Sequence, residues 1–419
     1  MMKKMKKLYI ISALFIGALA FTACEEQDKT PVFTEPTEFV LNEPVLKNNF
    51  IDLAKSESVE LACSQPDYGF TAATKYQIQV SRDGKFLNEF DEKKVTGDYV
   101  TIDVDFSTAR MDVPASEIAI SLTQLRMVDL VAEDPDITED EMKAKFPYET
   151  AAYIRVKASL AASGKGEIVS NVVSIANLRC PYSLPEVYTP EEFFIVGQYN
   201  NWDWGTAFEF IHYNENNTEG KGKTGTYWRL IYLPADGGFK VNAAKEWDGG
   251  EVGYVADDPL YKYNDNASAG LKASSDGNMV VTKGGWYLVI VRMVVEGRDI
   301  IYTFDINKPE VYLMGTNAPV NDWSINEANL FTVPAEADAD FVSPAFAYDT
   351  DGDGGVRACV IVGQDASGNP DTGTWWKSEF MTFNGKIEYR ATGGDQERVN
   401  GKKGQKLYLN FTKGTGSIK

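Results

Sequence analysis

Thr226–Val255 reads TYWRLIYLPADGGFKVNAAKEWDGGEVGYV, and the class of fold turns on it. Trp228, Leu230 and Tyr232 alternate with Tyr227, Arg229 and Ile231, the period-two pattern of a half-buried strand. Pro234-Ala-Asp-Gly-Gly238 is a turn whose glycines can take positive φ. Phe239, Val241 and Ala243 then begin a second strand, with Lys240 and Asn242 on its opposite face. Trp247 follows in KEWDGGE, a Gly/Asp loop with no apolar neighbour beside it. An indole in such a loop is costly to leave in water unless it covers something. One cation from a strand and one indole from the next loop suit a small polar ligand with flat apolar faces. A sugar ring fits: its C–H faces stack on indole and its hydroxyls need fixed donors and acceptors.

The chain has 419 residues, room for about three domains at ~100–200 residues each. Its apolar content of 43% is that of a globular protein rather than a disordered one. The formal net charge is −20 and no basic run exists beyond the extreme N-terminus, so nucleic acid is excluded as a partner. A single histidine, His212, argues against His-based metal sites and most His-dependent catalysis, and no cofactor is expected. All eight tryptophans lie beyond residue 200, so the two halves of the chain do different jobs.

The N-terminus reads as an address. Lys3, Lys4, Lys6 and Lys7 precede the apolar run Leu8–Phe21, which ends in Thr22-Ala23-Cys24. A charged segment, a short apolar segment and a small residue before the cut make a signal peptide over residues 1–23, too short for a spanning helix. Residues 24–36, polar with Pro31 and Pro36, form a tether. The remaining cysteines are Cys63, Cys180 and Cys359. Cys63 and Cys180 could pair across neighbouring strands, but buried free thiols are the better reading, and no Cys/His cluster suggests a metal.

Residues 37–179 read as short strands separated by turns: Val59–Leu61, Tyr76–Val80, Thr101–Phe106, Tyr153–Ala158 and Ile168–Ile175. The spacing predicts an immunoglobulin-like or fibronectin III-like sandwich. A small helical insertion interrupts it, Ser121–Ala132 and Thr138–Phe146, the second opening on a Thr138-x-x-Glu141 capping box. Without a Trp, a phosphate loop or a nucleophile motif, this domain reads as a spacer. After the proline-marked linker Cys180–Pro190 an internal repeat appears. FFIVGQYNNW (193–202) is echoed by VYLMGTNAPVNDW (311–323): an apolar strand, a glycine, an Asn-rich turn and a Trp. Two tandem all-β modules follow, 191–307 and 308–419.

These residues resemble the SusE/SusF family of Bacteroidetes outer-membrane lipoproteins, whose order of parts is lipobox, fibronectin-like spacer and tandem starch-binding β-sandwich modules. The resemblance implies lipidation of Cys24, with the acidic Glu25, Glu26 and Asp28 after it resembling a surface-export signal. It implies a non-catalytic lipoprotein anchored in the outer membrane, a polysaccharide ligand of the α-glucan type, and a SusC/SusD-like transporter complex as partner. In the family, two aromatics form an arc and a Lys or Arg bonds the sugar's 2- and 3-hydroxyls. Carried over, Trp202 or Trp204, Lys240 and Trp247 fit the first module. In the second, Trp323, Arg357 and Trp375 or Trp376 take comparable places, with the TWWKSEF segment reading as a strand.

Other features have plainer readings. Trp228 and Trp286 sit on alternating strands and are read as core. Lys377 and Arg390 are read as solvated, and His212 as a surface histidine. Asp349-Thr-Asp351-Gly-Asp353-Gly354 opens like a calcium loop, yet its twelfth position is Val360, so a Gly/Asp turn explains it better. Glycoside hydrolysis needs a carboxylate pair at a set separation in a cleft, and no pair stands out in so acidic a chain. Two other classes stay open: a structural or partner-binding surface lipoprotein without a glycan site, and a hydrolase with an unrecognised one.

Overall fold

The computed structural model describes residues 32–213, 222–350, 352 and 354–419. The predicted signal peptide, Cys24 and most of the tether lie outside the described residues, as do Asp351 and Asp353. The chain divides into two compact units, Met1–Pro185 and Glu186–Lys419.

In the first unit the central sheet runs Phe50–Asp52, Val173–Cys180, Tyr148–Leu160, Thr74–Ser81, Tyr99–Phe106, with Ile168–Val169 beside Tyr148–Leu160. Ser58–Ala62 and Arg110–Pro114 pair separately. The helix Ala115–Glu133 is longer than predicted and is not an insertion outside the core. Ala115, Ile118, Ala119 and Leu122 recur at helical spacing and are buried in the same cluster as Ile78, Ile154 and Ile175 of the sheet. The second helix, Glu139–Lys143, carries the predicted capping box. Cys63 and Cys180 are free and buried, and burial pushes their thiols up to about 11 and about 12.

The second unit is where the tryptophans lie. Its first module is two facing sheets. One runs Phe208–Glu209, Phe194–Gly197, Gly238–Asn242, Met279–Val281, Leu271–Ala273; the other runs Ile211–His212, Thr224–Leu233, Gly285–Glu296, Asp299–Asn307, Tyr261–Asp265. The Pro234–Gly237 turn therefore carries the chain from one sheet to the other rather than closing a hairpin. Phe239, Val241, Tyr227, Ile231, Val289 and Val291 fill the space between the sheets.

The Thr224–Leu233 strand is not half-buried. Its other face, with Trp228 and Leu230, joins Trp286, Leu288 and Ile290 of the adjacent Gly285–Glu296 strand in a second core. That core is shared with the second module, a seven-stranded sheet beginning Tyr312–Met314, Arg357–Cys359, Glu379–Phe383, Lys386–Tyr389. Trp228 packs on Phe380 with ring centroids 5.9 Å apart, and Trp286 meets Phe341 edge-on at 5.0 Å. Both are core residues, as read from sequence, but their core is the junction between the modules.

Candidate functional site

On Gly238–Asn242, Phe239 and Val241 point inward, so Gly238, Lys240 and Asn242 face outward. Antiparallel register sets Lys240 opposite Val196 and Asn242 opposite Phe194. Phe194 and Val196 form a small buried cluster with Trp204 on this outer face, and Trp202 and Ala207 pack against it.

The Asn-rich turn builds the tryptophans into place. Asn200 accepts from the Gly197 amide at 3.0 Å and donates to the Asp203 carbonyl at 2.8 Å. Asp203 accepts from the Gly205 amide at 2.9 Å. This turns the chain through left-handed backbone at Asn201 (φ 55°) and Trp202 (φ 62°), conformations that cost energy in non-glycine residues. Trp202 then lies along bare backbone: a Cβ at Gly238 would stand 3.1 Å from its Cζ2.

The Trp247 loop is tied at its neck and inside. Val241 and Val252 exchange two backbone hydrogen bonds, 3.0 and 2.8 Å. The Asn242 amide donates to the Glu246 carbonyl and to Asp248 Oδ1, both at 3.0 Å. Trp247 between them is 55% exposed. Its ring stands 6.2 Å from Trp202 at 40° and 5.3 Å from Trp204 at 63°. Trp204 is buried beneath, its Nε1–H without a protein acceptor. Lys240 is half-buried on the same strand face, two residues from Gly238 and two from Asn242, and its ammonium has no hydrogen-bond or ion-pair partner among the described residues. Three indoles at angles to one another and one uncommitted ammonium thus share a shallow face, able to hold an apolar ring surface and donate to hydroxyls beside it.

The second module repeats the opening. Trp323 has φ 63°, matching Trp202, and its ring lies near-parallel to that of Trp375, at 5.7 Å and 14°. Trp375 packs on Tyr312, Met314 and Cys359, the counterparts of the first module's outer cluster. Two predicted residues are placed otherwise. TWWKS is a short 3-10 helix, Thr372–Ser378, capped by Asp371, so the adjacent indoles diverge and Trp376 lies under the Arg390 guanidinium at 4.6 Å instead of beside Trp323. Arg357 stands opposite Met314 but is buried. Its Nη1 donates to Glu379 at 2.6 Å, Nη1 and Nη2 to Asp395 at 3.2 Å, and Nε to the Gly354 carbonyl. Glu379 is fully buried and also accepts from Arg390 at 2.8 Å, so Arg390 is engaged rather than solvated. Arg398 and Arg357 hold the Asp395 carboxyl far below the usual carboxylate range. Trp375 is thus the one of the two adjacent indoles that meets Trp323, and the buried ion network has no local sequence signal, because its carboxylates lie 22 and 38 residues from Arg357.

Among the described residues no group of His, Cys, Asp and Glu converges to hold a metal. Asp349 of the calcium-like segment instead pairs with Lys402 at 3.0 Å and accepts from the Lys403 amide at 2.8 Å.

Comparison with known proteins agrees with this layout. A family model described as SusF/SusE starch specific CBMs matches residues 192–303 and 310–417, and one described as SusE outer membrane protein matches 26–119. The outer membrane protein SusF of Bacteroides thetaiotaomicron is 39% identical over 242 residues, 57% of this chain and 45% of SusF. The chain thus spans about half the length of that relative. The crystal structure of SusF from the same organism aligns over 91% of this chain and all of its own, at 24% identity and a TM-score of 0.40. Each matched copy begins just before a strand–glycine–Trp element described above, the two together take in more than half of the residues, and the chain therefore belongs to the SusF/SusE family of starch-specific carbohydrate-binding modules.

Proposed function

We propose that this protein is a non-catalytic glycan-binding lipoprotein, held at the outer membrane through Cys24, that keeps starch or a related α-glucan at the cell surface for degradation and uptake, in company with a SusC/SusD-like transporter complex. The observation that carries the reading is the outward pair Trp247 and Trp202, seated on buried Trp204, on the strand face that also bears Lys240. Trp202 and Trp247, set at 40°, follow the curvature of an α-1,4-linked chain, whereas a flat β-1,4-glucan calls for coplanar rings. Indole–sugar contacts of this aromatic kind add ~0.5–1.5 kcal/mol beyond burial, and a charged donor to a hydroxyl about 1.5–3 kcal/mol. After the ordering of a flexible glycan is subtracted, affinity per site falls on the order of 0.1–1 mM. Trp323 and Trp375 form a second contact on the same compact unit and add avidity. Affinity electrophoresis tests the reading: the mature protein is retarded in gels containing starch, and absence of retardation in any glucan would leave a structural lipoprotein. Reducing-sugar release from starch would point to the hydrolase instead.

A further inference from the structure

A cleft of about 560 Å³ opens where the two modules of the Glu186–Lys419 unit meet, lined by none of the site tryptophans. The first module contributes Glu192, Glu209, His212 and Arg229, and the second module Tyr389 and Thr392. Arg229 stacks on the Phe208 ring at 4.7 Å and reaches the Tyr389 ring at 6.0 Å. One Nη1 donates to the Glu209 carbonyl at 3.3 Å, while Nε is buried without an acceptor. Leaving a buried guanidinium N–H unpaired is costly, and such groups are rare in native proteins unless something else fills the gap. Among the described residues the carboxylates of Glu192 and Glu209 form no ion pair, and the Tyr389 hydroxyl no hydrogen bond.

We infer that this cleft is a further saccharide site, distinct from both tryptophan faces and suited to a short neutral oligosaccharide or a chain end. The volume lies within the ~300–1,000 Å³ of small-ligand sites. A cation would face Arg229, and the carboxylates do not converge on a point where a metal could sit. An anion would face Glu192 and Glu209. A neutral polyol satisfies both signs, because each hydroxyl donates to a carboxylate and accepts from the guanidinium, while the Tyr389 ring and His212, edge-on to Tyr227 at 4.8 Å, supply apolar walls. The cleft needs no closing motion, since the modules forming it share the Trp228–Phe380 core. The inference takes its ligand class from this chemistry and does not require the tryptophan faces to bind.

The test uses the full mature chain with maltotriose, isomaltotriose and cellotriose as probes, read by calorimetry and saturation-transfer NMR. Trp247→Ala/Trp323→Ala removes one indole from each outer face, exposed Trp247 and half-buried Trp323, and should leave binding of at least one trisaccharide. Adding Arg229→Met should weaken that binding at least tenfold. Adding Thr392→Trp instead, which fills the cleft from the second module's side, should do the same with an unchanged melting curve and is decisive should Arg229→Met unfold. Loss of all trisaccharide binding in Trp247→Ala/Trp323→Ala, or binding that survives Thr392→Trp, would overturn the proposal. Retardation on starch is read on Trp247→Ala and Trp323→Ala with the cleft intact, which keeps the result for the tryptophan faces separate from that for the cleft.

Discussion

Lys240 and Arg357 hold the same register position in the two modules, opposite Val196 and opposite Met314, each next to the glycine that follows the repeated strand. Only Lys240 is uncommitted; Arg357 is locked between Glu379 and Asp395. A cation stands at this place in both copies, and in the second it is held by carboxylates. Lys240→Ala should weaken retardation on starch several-fold and leave the melting temperature unchanged, because its ammonium has no protein partner to lose. Arg357→Ala should instead cost about 3–5 kcal/mol, the penalty of removing one member of a buried charge group. Thermal melts beside affinity electrophoresis separate the two effects; equal melting temperatures would refute the assignment.

Trp247 and Trp204 should likewise divide. Trp247 is more than half exposed, so Trp247→Ala should reduce binding at least tenfold with little change in stability. Trp204 is buried against Phe194 and Val196, and Trp204→Ala should lose binding together with about 3–5 kcal/mol of stability. A folded Trp247→Ala protein that binds starch fully would place the site elsewhere.

Asp395 makes the second module sensitive to acid. Arg398 foremost, then Arg357, lower its folded-state pKa below the unfolded value of about 3.9. A depressed carboxylate contributes stability that is fully present above the unfolded value and is lost as pH falls through the folded one. Asp395→Asn should therefore lower stability at pH 6 slightly and flatten the decline below pH 4. The group is largely exposed, so the effect should shrink in high salt. Denaturant melts between pH 2 and 6 measure it; an unchanged acid limb would contradict the ion network.

What the sequence could and could not disclose follows from distance along the chain. Trp247 was legible because its own neighbours, Glu246, Asp248 and Gly249, are polar, and local contrast marks an indole that has no core to join. Arg357 was not, because the carboxylates that neutralise it lie 22 and 38 residues away. The divergence of Trp375 and Trp376 depends on a 3-10 helix too short to show a period. For Trp228 and Trp286 the signal was present. Trp286–Val295 is almost continuously apolar, the mark of a strand buried on both faces. A reading of one module by itself assigns such a strand a single core.

That shared core predicts how the unit comes apart. Cutting the chain after Asn307 would expose Trp228, Leu230, Trp286, Leu288 and Ile290 together, a contiguous apolar patch of the kind that drives aggregation. Residues 186–307 alone should be insoluble or associate, whereas 186–419 should be monomeric and melt in one cooperative transition. Trp286→Ala, which also removes the hydrogen bond to the Glu336 carbonyl, should lower that transition by several degrees. A soluble, monomeric 186–307 fragment in sedimentation analysis would show that the modules are independent.

The two tryptophan faces should differ in strength, and the direction follows from the same register position. In the first module Trp247 meets Trp202 at 40° beside a free ammonium; in the second Trp323 and Trp375 are near-parallel at 14° and the equivalent cation is consumed by Glu379 and Asp395. Stacking is available to both. The charged hydrogen bond, worth about 1.5–3 kcal/mol, is available at this place only to the first. At 1.4 kcal/mol for each factor of ten, the first face should bind an α-1,4-glucan roughly tenfold or more tightly than the second. Near-parallel rings also fit a curved chain less well, which widens the gap. In the full chain, Trp247→Ala should therefore remove most of the retardation on starch, and Trp323→Ala only the avidity contribution. Calorimetry with maltoheptaose gives the two face affinities, each from the variant that lacks the other face and carries Thr392→Trp in the cleft. Equal affinities, or a stronger second face, would mean that Lys240 does not touch the sugar.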